Sequence, residues 1–249
     1  MAQSIFKRAE VKYLLRPDPY KQLIKRTQDL FQPDAYGKTD ILNLYYDTPD
    51  FLLIRKSLEQ PVYKEKLRLR SYGTATSGSA SFIELKKKYK GIVYKRRIEL
   101  PYAQAVSRLT YGQKPEEASQ IGNEIEYFRR FYPNLEPRMM ISYERIACVG
   151  TEDPDLRVTF DRNIRWRTNR LDLRCGPDGE DLLPDGCCLM EIKIAGGMDP
   201  RLSAILSELS IFKTSFSKYG RGYLNYIRRA PQSICRMQTL QMEQERSHA

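Results

Sequence analysis

Apolar and polar residues alternate with a period of two in segment after segment of this chain, and the polar positions carry charge. Glu10 and Lys12 flank Val11, Arg68 and Arg70 flank Leu69, Glu84 and Lys86 flank Leu85, and Glu191 and Lys193 flank Ile192; Arg157 and Asp161 bracket Val158 and Phe160. Successive strand side chains point to opposite faces, so each segment sets its charges on one face and its aliphatic residues on the other. One such strand describes an ordinary sheet with a solvated side. Repeated in most strands, with Arg and Lys beside a few carboxylates, the pattern predicts an α+β fold. In it an antiparallel closed β barrel has a charged interior that holds a polyanion and an apolar exterior covered by helices.

The same periodicities place the elements. A first strand is expected over Ile5 to Tyr13, then a helix with Asp18 as N-cap, Pro19 in its first turn and Leu23, Ile24, Leu30 and Phe31 as its stripe until Pro33. Strands follow over Ile41 to Asp47, Tyr63 to Tyr72, Phe82 to Lys88 and Ile92 to Leu100, with turns at Asp47-Thr48-Pro49-Asp50 and Lys90-Gly91 and a loop over Thr74 to Ser81. Helical spacing takes over at Ala103 to Tyr111 and Pro115 to Tyr132. Strands resume at Met139 to Val149, Val158 to Trp166 and Leu189 to Ile194, the last two separated by hairpin turns around Gly176-Pro177-Asp178-Gly179 and Pro184-Asp185-Gly186. Helices at Asp199-Pro200 onward and Ser217 to Arg228 close a domain spanning residues 1 to 230, and Pro231 to Ala249 reads as a polar, Gln-rich mobile tail.

Composition narrows the chemistry. With 249 residues the chain can bury the core of one large domain, and a net charge of +11 points to an anionic partner. The longest apolar runs fall far short of the ~20 residues that span a bilayer, and Met1 to Phe6 lacks a signal-peptide core, so the chain reads as soluble and cytoplasmic. Five cysteines without Cys-x-x-Cys spacing read as free thiols. The single histidine, His248, stands one residue from the end, which argues against histidine-based nucleophilic or metal chemistry. A metal would have to sit on oxygen, which suits Mg²⁺ or Mn²⁺.

The ordered set Arg8-x-Glu10-x-Lys12-Tyr13, Tyr46-Asp47-Thr48-x-Asp50-Phe51, Arg68-x-Arg70, Glu84-x-Lys86, Lys95-x-Arg97, Tyr143-x-Arg145, Arg157-x-x-x-Asp161, Glu191-x-Lys193 and Phe216-Ser217-Lys218-Tyr219 resembles the VTC domain. That is the catalytic domain of the vacuolar-transporter-chaperone polyphosphate polymerases and their bacterial relatives, within the triphosphate tunnel metalloenzymes. The resemblance runs from Phe6 to Ile227 and implies an eight-stranded tunnel that binds a triphosphate inside. It further implies phosphate coordination by Lys12, Arg68, Arg70, Lys86, Arg145, Arg157 and Lys218, with Arg8, Arg97 and Lys193 as further phosphate-facing groups. Glu191 matches the family's metal carboxylate. Glu10, Glu84, Glu99 and Asp161 either orient basic groups or join Glu191 around the metal, Glu10 being the first choice as a second ligand. Where the wider superfamily has two glutamates two apart before the lysine, this chain has Arg8 and then Glu10.

These residues lead to a metal-dependent enzyme that transfers the terminal phosphoryl group of ATP to a growing polyphosphate chain. The attacking group is already an anionic phosphate oxygen, so no covalent protein nucleophile is required. Two alternatives stand beside it: a triphosphatase or polyphosphatase on the same scaffold, and a non-catalytic binder of polyphosphate or nucleic acid. Carboxylates interspersed among the cations speak against a stable nucleic-acid complex.

Overall fold

The computed structural model describes residues 9–90, 92–113 and 119–229. In chain order the elements are β1 (Ala9–Leu15), α1 (Pro17–Arg26), β2 (Phe31–Asp47), α2 (Leu52–Leu58), β3 (Tyr63–Tyr72), β4 (Ala80–Tyr89), β5 (Ile92–Pro101), α3 (Tyr102–Tyr111) and α4 (Gln120–Phe131). They continue with β6 (Glu136–Gly150), β7 (Arg157–Arg167), β8 (Glu180–Asp181), β9 (Cys188–Ile194), α5 (Pro200–Glu208), β10 (Lys213–Thr214) and α6 (Lys218–Arg229). Arg8 and the tail from Pro231 lie outside the described residues.

The strands form one antiparallel sheet in the order β10–β1–β9–β7–β6–β2–β3–β4–β5, with β8 added to β7. The eight long strands expected are all present, but among the described residues the sheet has ten, and its hydrogen-bonded path does not close. A strand has two edges, and β1 spends one on β9 and the other, at Lys12 and Tyr13, on β10. Among the described residues β5 pairs with β4 alone. The two-residue strands β8 and β10 are too short to carry any alternation. Side chains bridge the open seam instead: Lys86 Nζ of β4 lies 4.0 Å from Glu10 Oε2 of β1.

The convex face behaves as the pattern predicts. Leu23 of α1 and Leu202 and Leu206 of α5 bury against Leu15, Val158, Phe160, Met190 and Ile192. Ala105 and Leu109 of α3, with Ile125 and Phe128 of α4, bury against Leu44, Leu67, Leu69, Ile83 and Leu85. The concave face departs from it. Tyr219 and Tyr223 of α6 and Ile54 of α2 pack there against Ile41, Tyr45, Met139, Ile141, Ile164 and Trp166. α6 therefore packs into the concave face of the sheet rather than covering its outside, and that face is half apolar and half ionic.

Asp47 holds this filling in place. Its carboxylate accepts from the backbone N–H of Thr48, Leu53 and Ile54, and from Tyr219 Oη at 2.8 Å. One buried side chain thus caps α2, an unexpected helix, and ties α6 to it. Phe51, in the left-handed region at φ 61°, sets its ring against Tyr223, Tyr226 and the Arg138 guanidinium. Elsewhere α1 starts at Pro17 behind Arg16, not at an Asp18 cap. Leu30 and Phe31 belong to a turn on Thr27 and the start of β2, which a bulge between Pro33 and Lys38 lets run past the proline. Asp199 caps α5 as expected, accepting from Arg201 N and Leu202 N.

Candidate active site

Four carboxylates anchor the ionic half of the concave face, each among several cations. Glu84, 1% exposed, lies 2.7 Å from Arg68 Nη2, 2.6 Å from Lys95 Nζ, 3.6 Å from Arg97 Nε and 3.7 Å from Arg70 Nε. Asp161, fully buried, takes a bidentate pair from Arg145 at 2.6 and 2.7 Å and a third bond from Lys218 Nζ at 2.5 Å. Glu191 lies 3.4 Å from Lys12 Nζ and 3.8 Å from Lys218 Nζ. Glu10 lies 3.3 Å from the same Lys12 ammonium. Bidentate arginines on a buried carboxylate hold a fixed fork.

Strand register explains the gathering. Lys12 sits opposite Glu191, Arg145 opposite Asp161 and Arg68 opposite Glu84, so every pair is a cross-strand neighbour on one face. Lys218 arrives from outside the sheet, on the first residue of α6, and its Nζ rests 4.6 Å from the Tyr143 ring centre. Of the predicted set, Lys12, Arg68, Arg70, Lys86, Arg145, Lys218, Arg97, Glu10 and Glu191 meet here. Lys193 is half-buried at the margin, opposite exposed Arg157, and Glu99 is exposed opposite Phe82.

Burial and charge pull the groups in opposite directions. Burial alone would raise Glu84, but Arg68, Arg70 and Lys95 outweigh it and hold its carboxyl at about 2. Glu191 and Asp161 are likewise held below the usual range, with Lys218 the strongest opponent of burial in each case. Lys218 is raised despite its burial by Asp161, Tyr143 and Glu191.

Five residues escaped the sequence reading of the site. Tyr143, buried, is brought down to about 8 by Arg70, Arg145 and Lys218 against the effect of burial, and accepts from Arg70 Nη2 at 3.3 Å. Tyr45 accepts from Arg68 Nη1 at 3.1 Å, and Asn43 from Arg70 Nε at 2.9 Å. Lys95 was in the motif set without an assigned role, whereas its ammonium is the shortest contact of Glu84. Lys66 is half-buried, and burial of its ammonium, reinforced by Lys64, Lys86, Lys12 and Arg68, brings it down to about 7. Its signal was present, since Lys66 continues the alternation of Arg68 and Arg70 by one step.

Among the described residues no three carboxylates, thiols or imidazoles gather to cage a metal. Glu10 and Glu191 nevertheless share Lys12, and Thr159 Oγ1, on the same face opposite Glu191, is buried with no hydrogen-bond partner. Two carboxylates and a hydroxyl suit a hard divalent ion that completes its shell with phosphate oxygens and water. The donor set fits such an ion accompanying a phosphate ligand. Of the cysteines, Cys148, Cys175, Cys187 and Cys188 are free; Cys235 lies outside the described residues.

The VTC domain family model matches residues 7–227. The chain belongs to the VTC domain family. No curated protein matches the sequence of this VTC domain. Among solved structures it is similar to a protein from Bacillus halodurans provisionally described as an adenylate cyclase, with a TM-score of 0.53 and 16% identity over 87% of this chain and 96% of that one. It is also similar to a Hippeastrum protein provisionally described as an adenylyl cyclase and reported to have a dominant triphosphatase activity. There the TM-score is 0.51 and the identity 16%, over 87% and 95% of the two chains. At such identity the likeness is one of fold. No helix among the described residues of the VTC domain is long and apolar enough to cross a membrane.

The depressed Glu84 carboxyl gives the VTC domain a defined acid response. Its folded value lies below the ordinary 4.5, so its stabilising contribution is complete above that value and is lost as pH falls through about 2. Urea midpoints of the wild type and Glu84→Gln should differ by a constant amount above about pH 5, draw together as pH falls below the ordinary value, and come closest near pH 2. A difference that grows on acidification would contradict the assignment.

Proposed function

We propose that this VTC domain is a polyphosphate polymerase, which transfers the terminal phosphoryl group of ATP to a growing inorganic polyphosphate chain with the help of Mn²⁺ or Mg²⁺. The observation that carries the reading is the surplus of positive charge on a face whose carboxylates are already matched. Lys12, Lys66, Arg68, Arg70, Lys86, Lys95, Arg97, Arg145 and Lys218 surround only Glu10, Glu84, Asp161 and Glu191 among the described residues.

Such a face can do three things for the reaction. Arg68, Arg70 and Arg145, fixed by Glu84 and Asp161, present forked donors to phosphate oxygens without reorganising. Lys12 and Lys218 screen the repulsion between the triphosphate of ATP and the end of the polyphosphate acceptor. Tyr143 and Tyr45 brace the guanidinium groups from the apolar side. A divalent ion on Glu191 and Glu10 would neutralise charge on the transferred group. The carboxylates left over are too few to hold a second metal and align a water, which favours a phosphate acceptor over hydrolysis, and Arg8 in place of a first-strand glutamate points the same way.

Incubation with ATP and Mn²⁺, followed by separation of products, tests the reading. The expected products are ADP and polyphosphate with little free phosphate. Stoichiometric release of free phosphate, with no polymer at any ATP or primer concentration, would establish a triphosphatase instead.

A further inference from the structure

The β3–β4 ladder changes character from rung to rung. Arg70 faces Phe82, Arg68 faces Glu84, Lys66 faces Lys86, and Lys64 faces Lys88. Side chains two apart along a strand are about 6.7 Å apart, so the two lysine rungs extend roughly 13 Å from the Glu84 rung. Like charges directly opposite each other destabilise a sheet. Here, too, the usual compensation is missing. Among the described residues no carboxylate is within ion-pair distance of Lys64, Lys66 or Lys88, and Lys86 reaches Glu10 only at 4.0 Å. Lys64 Nζ turns to the Ser57 carbonyl at 3.3 Å and Lys66 Nζ to Ser217 Oγ at 3.1 Å, both neutral acceptors. Lys64 and Lys66 are each drawn below the ordinary lysine value, Lys64 by burial and Lys88 and Lys66 by burial, Lys64 and Lys86 among others.

We propose that Lys64, Lys66 and Lys88 form a length-sensing subsite that binds the phosphates of a polyphosphate chain lying beyond the three held by the arginine centre. The inference rests on the polyphosphate reading above and adds to it the residues that would hold the chain beyond a triphosphate. An evenly spaced polyanion supplies the negative charge that the two rungs lack. Single-stranded nucleic acid fits less well, because Tyr63 and Tyr89 neighbour Lys64 and Lys88 in sequence and so lie on the opposite strand face. Among the described residues the two lysine rungs of this ladder carry no aromatic side chain on their own face.

Calorimetric titration in EDTA, where no turnover occurs, tests the subsite with tripolyphosphate, long-chain polyphosphate and a single-stranded DNA oligonucleotide. In the Lys64→Gln/Lys88→Gln double variant, long-chain affinity should fall about fivefold to tenfold. Tripolyphosphate affinity should stay within about twofold, and the long-chain salt dependence should become shallower. With like charges removed, the variant should melt no lower than the wild type, which confirms its fold. Equal losses for both phosphate lengths, unchanged long-chain binding, or a larger loss for DNA than for polyphosphate would overturn the proposal. Because binding is read without catalysis, free phosphate in the product assay would refute the polymerase and leave this result standing.

Discussion

Asp161→Asn should lower stability by about 3–5 kcal/mol, the range for breaking a buried ion pair from one side. The carboxylate is fully buried and is the hydrogen-bonding partner of both Arg145 and Lys218, so its loss leaves two cations facing each other with Glu191 as their nearest relief. At roughly 2–4 °C per kcal/mol for a domain of this size, the melting temperature should drop by about 6–20 °C. Tripolyphosphate should then stabilise the variant more than it stabilises the wild type, because the ligand brings the charge that the mutation removed. A loss below about 1 kcal/mol, or equal stabilisation of both proteins by tripolyphosphate, would show that Asp161 is not the counter-ion of a phosphate site.

Glu191→Gln should be the most damaging change to turnover. The amide keeps the shape of the side chain but removes the charge that Lys12 and Lys218 flank, and with it the first of the two carboxylates proposed to hold the metal. Changes in the outer shell of a metal site cost 10–100-fold, so loss of a ligand should cost more than about 100-fold in kcat. Mn²⁺ binding in the presence of tripolyphosphate, followed by electron paramagnetic resonance, should weaken in parallel. Wild-type turnover by the variant, or full activity of either protein after chelation, would remove Glu191 from metal binding.

The ionic half of the site was legible because its residues repeat a two-residue spacing, and the apolar half was not because it is built across the chain. Glu84, Lys86, Glu191 and Lys193 announce their face within three residues of sequence. Tyr45, by contrast, stacks on Tyr219 at 4.4 Å, and nothing local in either segment signals that a helix lies on the concave face. The Tyr46-Asp47-Thr48-x-Asp50-Phe51 motif was visible as a string, yet its work is to cap α2 and tie α6, which only the fold reveals. β2 was read short because Pro33 looks like a stop, whereas a bulge carries the strand past it. Closure was over-read: alternation reports which face a side chain takes and is silent about which edges find partners.

The tether between Asp47 and Tyr219 joins positions 172 residues apart, and the bond from Lys12 Nζ to the Phe216 carbonyl joins positions 204 apart. Contacts of such sequence separation form slowly, since the loop entropy is spent before the contact returns anything. During synthesis the sheet strands emerge first, with Ile41, Met139 and Ile141 bare on the inner face and Asp161 matched only by Arg145. The segment Phe216-Ser217-Lys218 then arrives, and a single docking event both buries that apolar patch and delivers the ammonium to Asp161 and Glu191. Until that segment docks, Asp161 lacks its Lys218 partner and the cation cluster is incomplete.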